Sequence, residues 1–99
     1  MKKEKMYKNL NPVLHNPLRL AIISYLIKQE TADFTELKNI TQATSGNLSV
    51  QFKKLAHKNY ITIEKQFRNN YPNTQVLLTE EGKLAFEEYV SALKTYFVK

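Results

Sequence analysis

The segment TSGNLSVQFKKLAHKNY, residues 44–60, has an inner face that any helix would bury and an outer face that few surface helices carry. At about 100° per residue, Leu48, Phe52 and Leu55 converge on one side, while Gly46, Asn47, Val50, Lys53, Lys54 and His57 point away from it. A solvated helix face normally alternates Glu and Lys, because opposite charges three or four positions apart attract each other. This face has no acid. Two adjacent lysines stand instead among small polar and aliphatic groups.

What precedes the segment decides how it is used. Residues 34–40 read as a short helix capped by Thr35 or Asp33, with Phe34, Leu37 and Ile40 spaced for one face. Thr41 to Thr44 then form a connection of only four residues. Thr44 is a good N-cap for the helix that follows, and Asn59, which tolerates a left-handed backbone, can close it, giving a helix over 44–59. Two helices joined by so short a turn form a helix-turn-helix, whose second member enters the major groove. Further upstream, Asn11-Pro12 and Asn16-Pro17 both have the form of a helix start, a capping Asn before a Pro that loses only an orphan donor. From Pro17 to about Lys28 run two apolar stripes: Leu18, Ala21, Ile22, Tyr25 and Leu26 on one side, Leu20, Ile23 and Ile27 on the other. One buried stripe suffices for a surface helix. This helix is expected to be covered from two sides.

Downstream, Ile61 to Phe67 alternates as a strand, residues 68–74 (RNNYPNT) read as a polar turn, and Gln75 to Thr79 as a returning strand. Together they predict a hairpin with a protruding tip over 66–75. Thr79 then caps a final helix over 79–98, with Glu80 and Glu81 in its first turn, where the helix dipole favours acids. The expected architecture is mainly α with a small hairpin of two to three strands, in one domain over 1–99 with a basic segment at 1–10.

Composition bounds the function. Ninety-nine residues make one domain with little surface to spare for a deep substrate cavity. Fifteen basic against nine acidic residues leave a net charge of +6, which favours a polyanionic partner. Without cysteine, neither disulfides nor thiolate metal sites can form, and His15 has no ligand partner in sequence. No apolar run approaches the roughly twenty residues of a membrane span. The basic start is not followed by the apolar segment of a signal peptide, so a cytoplasmic location is expected. There is no Gly-rich phosphate loop and no paired base and nucleophile, which argues against an enzyme and for a chain without cofactor.

The order of elements, with HNPLRLAII at 15–23, ADFTELKNI at 32–40, TSGNLSVQFKKLAHKNYI at 44–61 and LTEEGKLAFEEYV at 78–90, resembles a winged helix-turn-helix transcriptional regulator. Within that superfamily the chain is most similar to short relatives of MarR and ArsR regulators. Departures from the pattern are Gln42 and Asn59 where such proteins often have Gly, Gln51 in place of His, Ala56 in place of Glu, and a wing whose only base between Gln66 and Gln75 is Arg68.

The resemblance implies a partner for the acid-free face: double-stranded DNA. A helix in the major groove needs small residues where backbones approach, groups that read base edges, and cations towards phosphates. Thr44, Ser45, Gly46, Asn47 and Ser49 are small or polar, Val50 suits a thymine methyl, Gln51 can pair with adenine if it reaches, and Lys53 and Lys54 suit phosphate or guanine. Arg68, Asn69, Asn70 and Tyr71 in the wing would lie on flanking DNA. A homodimer is expected on Leu20, Ile23 and Ile27 of the first long helix and Phe86, Tyr89, Val90, Leu93, Tyr96 and Phe97 of the last, because a lone protomer would expose these stripes. Use of the same fold for RNA or protein docking is the alternative. The sequence does not identify a small-molecule effector.

Overall fold

The computed structural model describes residues 7–97, apart from the side chain of Arg68. The elements are α1 (Pro17–Gln29), β1 (Thr31–Asp33), α2 (Phe34–Thr41), α3 (Ser45–His57), β2 (Ile61–Arg68), β3 (Tyr71–Leu78) and α4 (Glu80–Lys94). Each helix starts where a short polar side chain takes an orphan backbone donor. Asn16 accepts from the Arg19 amide, Thr44 from Asn47 and Thr79 from Gly82, while Asp33 and Glu36 exchange bonds in a full capping box. Asp33, not Thr35, caps α2. Helix α3 ends as anticipated: Asn59 takes φ 63°, and the amides of Asn59 and Tyr60 close back onto the carbonyls of Ala56 and Leu55.

The three strands form an antiparallel sheet in the order β1-β3-β2. Three expectations need correction. Asn11-Pro12 opens a single turn, not a helix; the Asn11 carboxamide accepts from the Val13 amide, but Asn16 restarts the chain one turn later. The polar stretch 68–74 is mostly strand. Asn69 and Asn70 alone make the turn, both with positive φ (53° and 66°), which fits the tight hairpin turn that matches strand twist. Pro72 is tolerated in β3 because β1 pairs only with Gln75 to Leu77, leaving that edge of the tip without a neighbour. Helix α4 stops at Lys94 rather than 98, where the Thr95 hydroxyl turns back to bond the Ala92 carbonyl.

Helix α1 is covered by its own chain. It touches α2, α3, α4, β1 and β3, and Ile22, Ile23 and Leu26 are fully buried with Leu37, Leu48, Phe52 and Leu55 in one core. This removes two residues from the expected dimer stripe. Ile23 has no exposed surface and Tyr89 is buried, its hydroxyl sharing a 3.0 Å hydrogen bond with His15 Nδ1. Leu20, Ile27, Phe86 and Leu93 pack half-buried against the same core, and Val90 is half-buried. The Tyr96 ring lies 4.9 Å from that of Tyr7, and the Lys8 amide donates to Thr95, so the incoming chain crosses the end of α4. Phe97 stays 70% exposed. Ile40 also departs from its expected face: two steps of three residues turn a helix about 120° away from Phe34, which leaves Ile40 in solvent. One turn before Ile40 on α2, Glu36 accepts from the Tyr25 hydroxyl. That bond, with desolvation and the charges of Glu36 and Asp33, holds the Tyr25 phenol above its ordinary value.

Helix α4 meets the sheet at one glycine. A Cβ on Gly82 would stand 2.2 Å from the Tyr60 carbonyl oxygen and 3.0 Å from Leu78 Cδ1. Because the obstacle is backbone, Gly82→Ala must displace α4 from the start of β2. The expected loss is about 1–3 kcal/mol of unfolding free energy, checked by urea denaturation; an unchanged midpoint would contradict the packing.

Candidate nucleic-acid interface

Thr44, Ser45, Gly46, Asn47, Ser49, Val50, Lys53, Lys54 and His57 are all exposed: the helical period turns Gly46, Asn47, Val50, Lys53, Lys54 and His57 outward, and Thr44 and Ser45 lie at the N-terminal end of α3. Val50 keeps 48% of its surface in water although it is aliphatic. Gly46 lies in the first turn of α3, and a Cβ there would meet nothing within 4 Å. Inside a helix, glycine costs about 0.5–1 kcal/mol relative to alanine. No contact within the protomer requires it.

Gln51 does not reach this surface. It is 8% exposed, the only polar side chain in the buried class among the described residues. Arg19 Nη1 donates to Gln51 Oε1 at 2.5 Å, and Gln51 Nε2 donates to Asn47 Oδ1 at 2.9 Å. Arg19 is itself held by its Nε on the Val13 carbonyl at 2.6 Å. The sequence reading of Gln51 as a base reader is therefore corrected. Three residues after Leu48 and four before Leu55, it stands at the edge of the inner face of α3, and an inward carboxamide stays only because α1 supplies a donor.

The charge around α3 is one-signed. No acid occurs between Glu36 and Glu64, whereas four of the nine acids fall on α4. Arg19, Lys53, Lys54, His57 and Lys58 line a cleft with Val13, beside the outer face of α3. Arg19 and Lys58 were not anticipated as site residues. Lys58 follows Lys54 at helical spacing and could have been read from it; Arg19 carries no local signal.

The wing projects by four ladder pairs past β1, about 13 Å at strand rise. Its end holds Asn69, Asn70 and Tyr71, and Phe67 opposite Pro72. Tyr71 is 74% and Phe67 80% exposed. By sequence Phe67 reads only as a strand residue. The Arg68 side chain lies outside the described residues. Among those residues no cluster of three His, Asp or Glu side chains could hold a metal ion, and no helix is long and apolar enough to cross a membrane.

Residues 18–97 match the family model described as a winged helix DNA-binding domain. The chain belongs to this family. A similar protein is MJ0432 of Methanocaldococcus jannaschii, described as uncharacterized, 27% identical over 78 residues that cover 79% of this chain and 85% of the relative. The structure of a transcriptional regulator homologue from Pyrococcus horikoshii OT3 superposes with a TM-score of 0.81 at 27% identity, covering 87% of this chain and 85% of that one. YusO of Bacillus subtilis (TM-score 0.72, 20% identity, 86% of this chain and 60% of that one) shares the fold. So does a MepR-like protein solved with pseudoligands (0.66, 20%, 83% and 60%). The winged helix-turn-helix expected from the sequence is thus the fold of the chain, and its neighbours include transcriptional regulators.

The bond between Arg19 and Gln51 predicts a defined stability pattern. Arg19→Met leaves a buried carboxamide without its donor and should cost about 1–3 kcal/mol. Adding Gln51→Leu removes the unpaired group, so the double variant should unfold at higher urea than Arg19→Met alone. Equal midpoints for the single and double variants would contradict the buried bond.

Proposed function

We propose that the protein is a homodimeric, sequence-specific regulator of transcription that acts in the cytoplasm, with α3 in the major groove and the wing on flanking DNA. The observation that carries this reading is the exposed, acid-free face of α3, in which a glycine with no role inside the protomer sits at the N-terminal end and cations at the C-terminal end. A recognition helix approaches base edges closest through its first turns, where side-chain bulk is excluded. Ser45, Gly46, Asn47, Ser49 and Val50 occupy those turns, and Lys53, Lys54, Arg19 and Lys58 stand where backbone phosphates would run past the cleft. The naming of the Pyrococcus protein as a transcriptional regulator homologue supports the regulatory role.

For the dimer, support comes from apolar surface on α1 and on and after α4. Leu84 is 51% and Phe97 70% exposed, with Leu20, Phe86, Val90 and Leu93 only half-buried. A two-fold pair would bury these groups and set two recognition helices about one DNA turn, ~34 Å, apart. Asn69, Asn70, Tyr71 and Arg68 at the wing tip would then lie outside each half-site.

The test is selection of bound fragments from a random duplex pool, followed by salt titration on the selected site. Two inverted half-sites are expected, with log affinity falling against log salt at about −0.9 per phosphate contacted. Tighter binding to RNA or single strands than to duplex, or affinity independent of salt, would overturn the reading in favour of RNA or protein docking. A sharper check uses the outer glycine. Gly46→Ala should raise unfolding free energy by about 0.5–1 kcal/mol while lowering affinity for the selected site, and a variant that gains stability without losing affinity would remove α3 from the groove.

A further inference from the structure

Arg19, Gln51 and Asn47 form a chain of hydrogen bonds running from α1 through the interior to the outer face of α3, and its polarity is set at the inner end. A guanidinium has only donors, so the carboxamide of Gln51 must turn its oxygen to Arg19. Its nitrogen is then forced the other way, onto Asn47 Oδ1 one helical turn earlier. Asn47 is exposed, and with its oxygen engaged from below, the edge left for an outside partner is its amino group. Burial makes the arrangement stiff: Gln51 has almost no water with which to exchange its partners.

We propose that this relay sets base preference, with Arg19 and Gln51 as positioning residues that present Asn47 to the groove as a donor. The inference rests on the reading that α3 contacts duplex DNA. Guanine offers two acceptors in the major groove, N7 and O6, whereas cytosine offers a donor, N4. The bidentate pairing of asparagine with adenine needs both the oxygen and the amino group at the base edge, and here the oxygen is held inside. The base pair facing Asn47 is therefore read with guanine preferred over both cytosine and adenine. Arg19 lies 32 residues away from Gln51 in sequence, so a residue of the first helix governs what the recognition helix reads.

The experiment uses the full-length protein and a pool of random duplexes. Asn47→Ala identifies the position, because discrimination should relax at one base pair per half-site. The wild-type protein should favour guanine over cytosine there by about tenfold, at the low end of a good polar base contact. Gln51→Glu then inverts the relay with little change in shape. One oxygen of the introduced carboxylate accepts from Arg19, the other accepts from the Asn47 amino group, and Asn47 must turn its own oxygen outward. Preference at that position should pass from guanine to cytosine or adenine. Added negative charge lowers affinity for every sequence, so the ratio between sequences is the readout. Arg19→Met provides the second variant; with Gln51 free to turn either way, the ratio should fall towards one. A folded Gln51→Glu protein that still selects guanine overturns the inference, as does an Asn47→Ala effect at a position where the wild-type protein prefers cytosine. A wild-type protein that enriches no duplex overturns the regulator reading and this inference with it, whereas enrichment with unaltered preference in both variants overturns only the inference.

Discussion

Helix α1 cannot leave Ile22, Ile23 and Leu26 in water, and covering them dictates most of the remaining structure. Fully burying one such side chain is worth about 1.5–3 kcal/mol, and the three span an arc of about 100° of the helix surface, which the surrounding elements close over together. Helices α2 and α3, helix α4 and the sheet therefore all pack around α1. With Leu48, Phe52 and Leu55 drawn into this core, the opposite side of α3 has no choice but to face out.

Short polar groups convert that packing into a defined orientation. The left-handed Gln42, at φ 60°, and the Thr44 cap turn the chain between α2 and α3 within three residues, and Asn59 ends α3 so that β2 leaves from its far end. The Asn59 carboxamide donates to Glu81 and the Thr79 hydroxyl donates to the Asn59 carbonyl. Helix α3, the root of the wing and the start of α4 are thereby tied at one junction. Gly82, packed against the Tyr60 carbonyl, lets α4 come close enough for those bonds to form.

Charge is sorted by the same geometry. The acids of α4 lie on a helix that begins beyond the wing, while the stretch from Leu37 to Ile63 carries bases alone. Within the folded chain this brings Arg19 of α1 beside Lys53, Lys54 and Lys58, cations that would repel one another and gain by meeting an anion. Arg19 does two jobs there: its guanidinium lines the cleft and also anchors a buried carboxamide. A lysine could place charge in the cleft, but it lacks the planar fork that donates to the Val13 carbonyl and to Gln51 together.

Local chemistry determined what could be read without the structure. Asn16, Asp33, Thr44 and Thr79 cap helices by contacts that reach only three residues along the chain, and period alone separates Leu48, Phe52 and Leu55 from the acid-free face. The helix-turn-helix, the hairpin and the final helix follow from such signals. Strand β1 does not, because three residues are too few to show a period, and it exists only through its pairing with Gln75 to Leu77. By sequence the turn at Asn69 and Asn70 is not separable from a longer polar stretch, since Tyr71 to Thr74 become strand only by facing Lys65 to Arg68. Tertiary structure alone decided the fate of Ile23, Tyr89 and Gln51. An apolar stripe on a helix records that something covers it, not whether the cover is the same chain or a second copy, and here α1 and α4 bury Ile23 and Tyr89 within the protomer. Gln51 stands at a position from which a long polar side chain can turn out or in; the donor that turned it in is Arg19, distant in sequence and adjacent only in the fold.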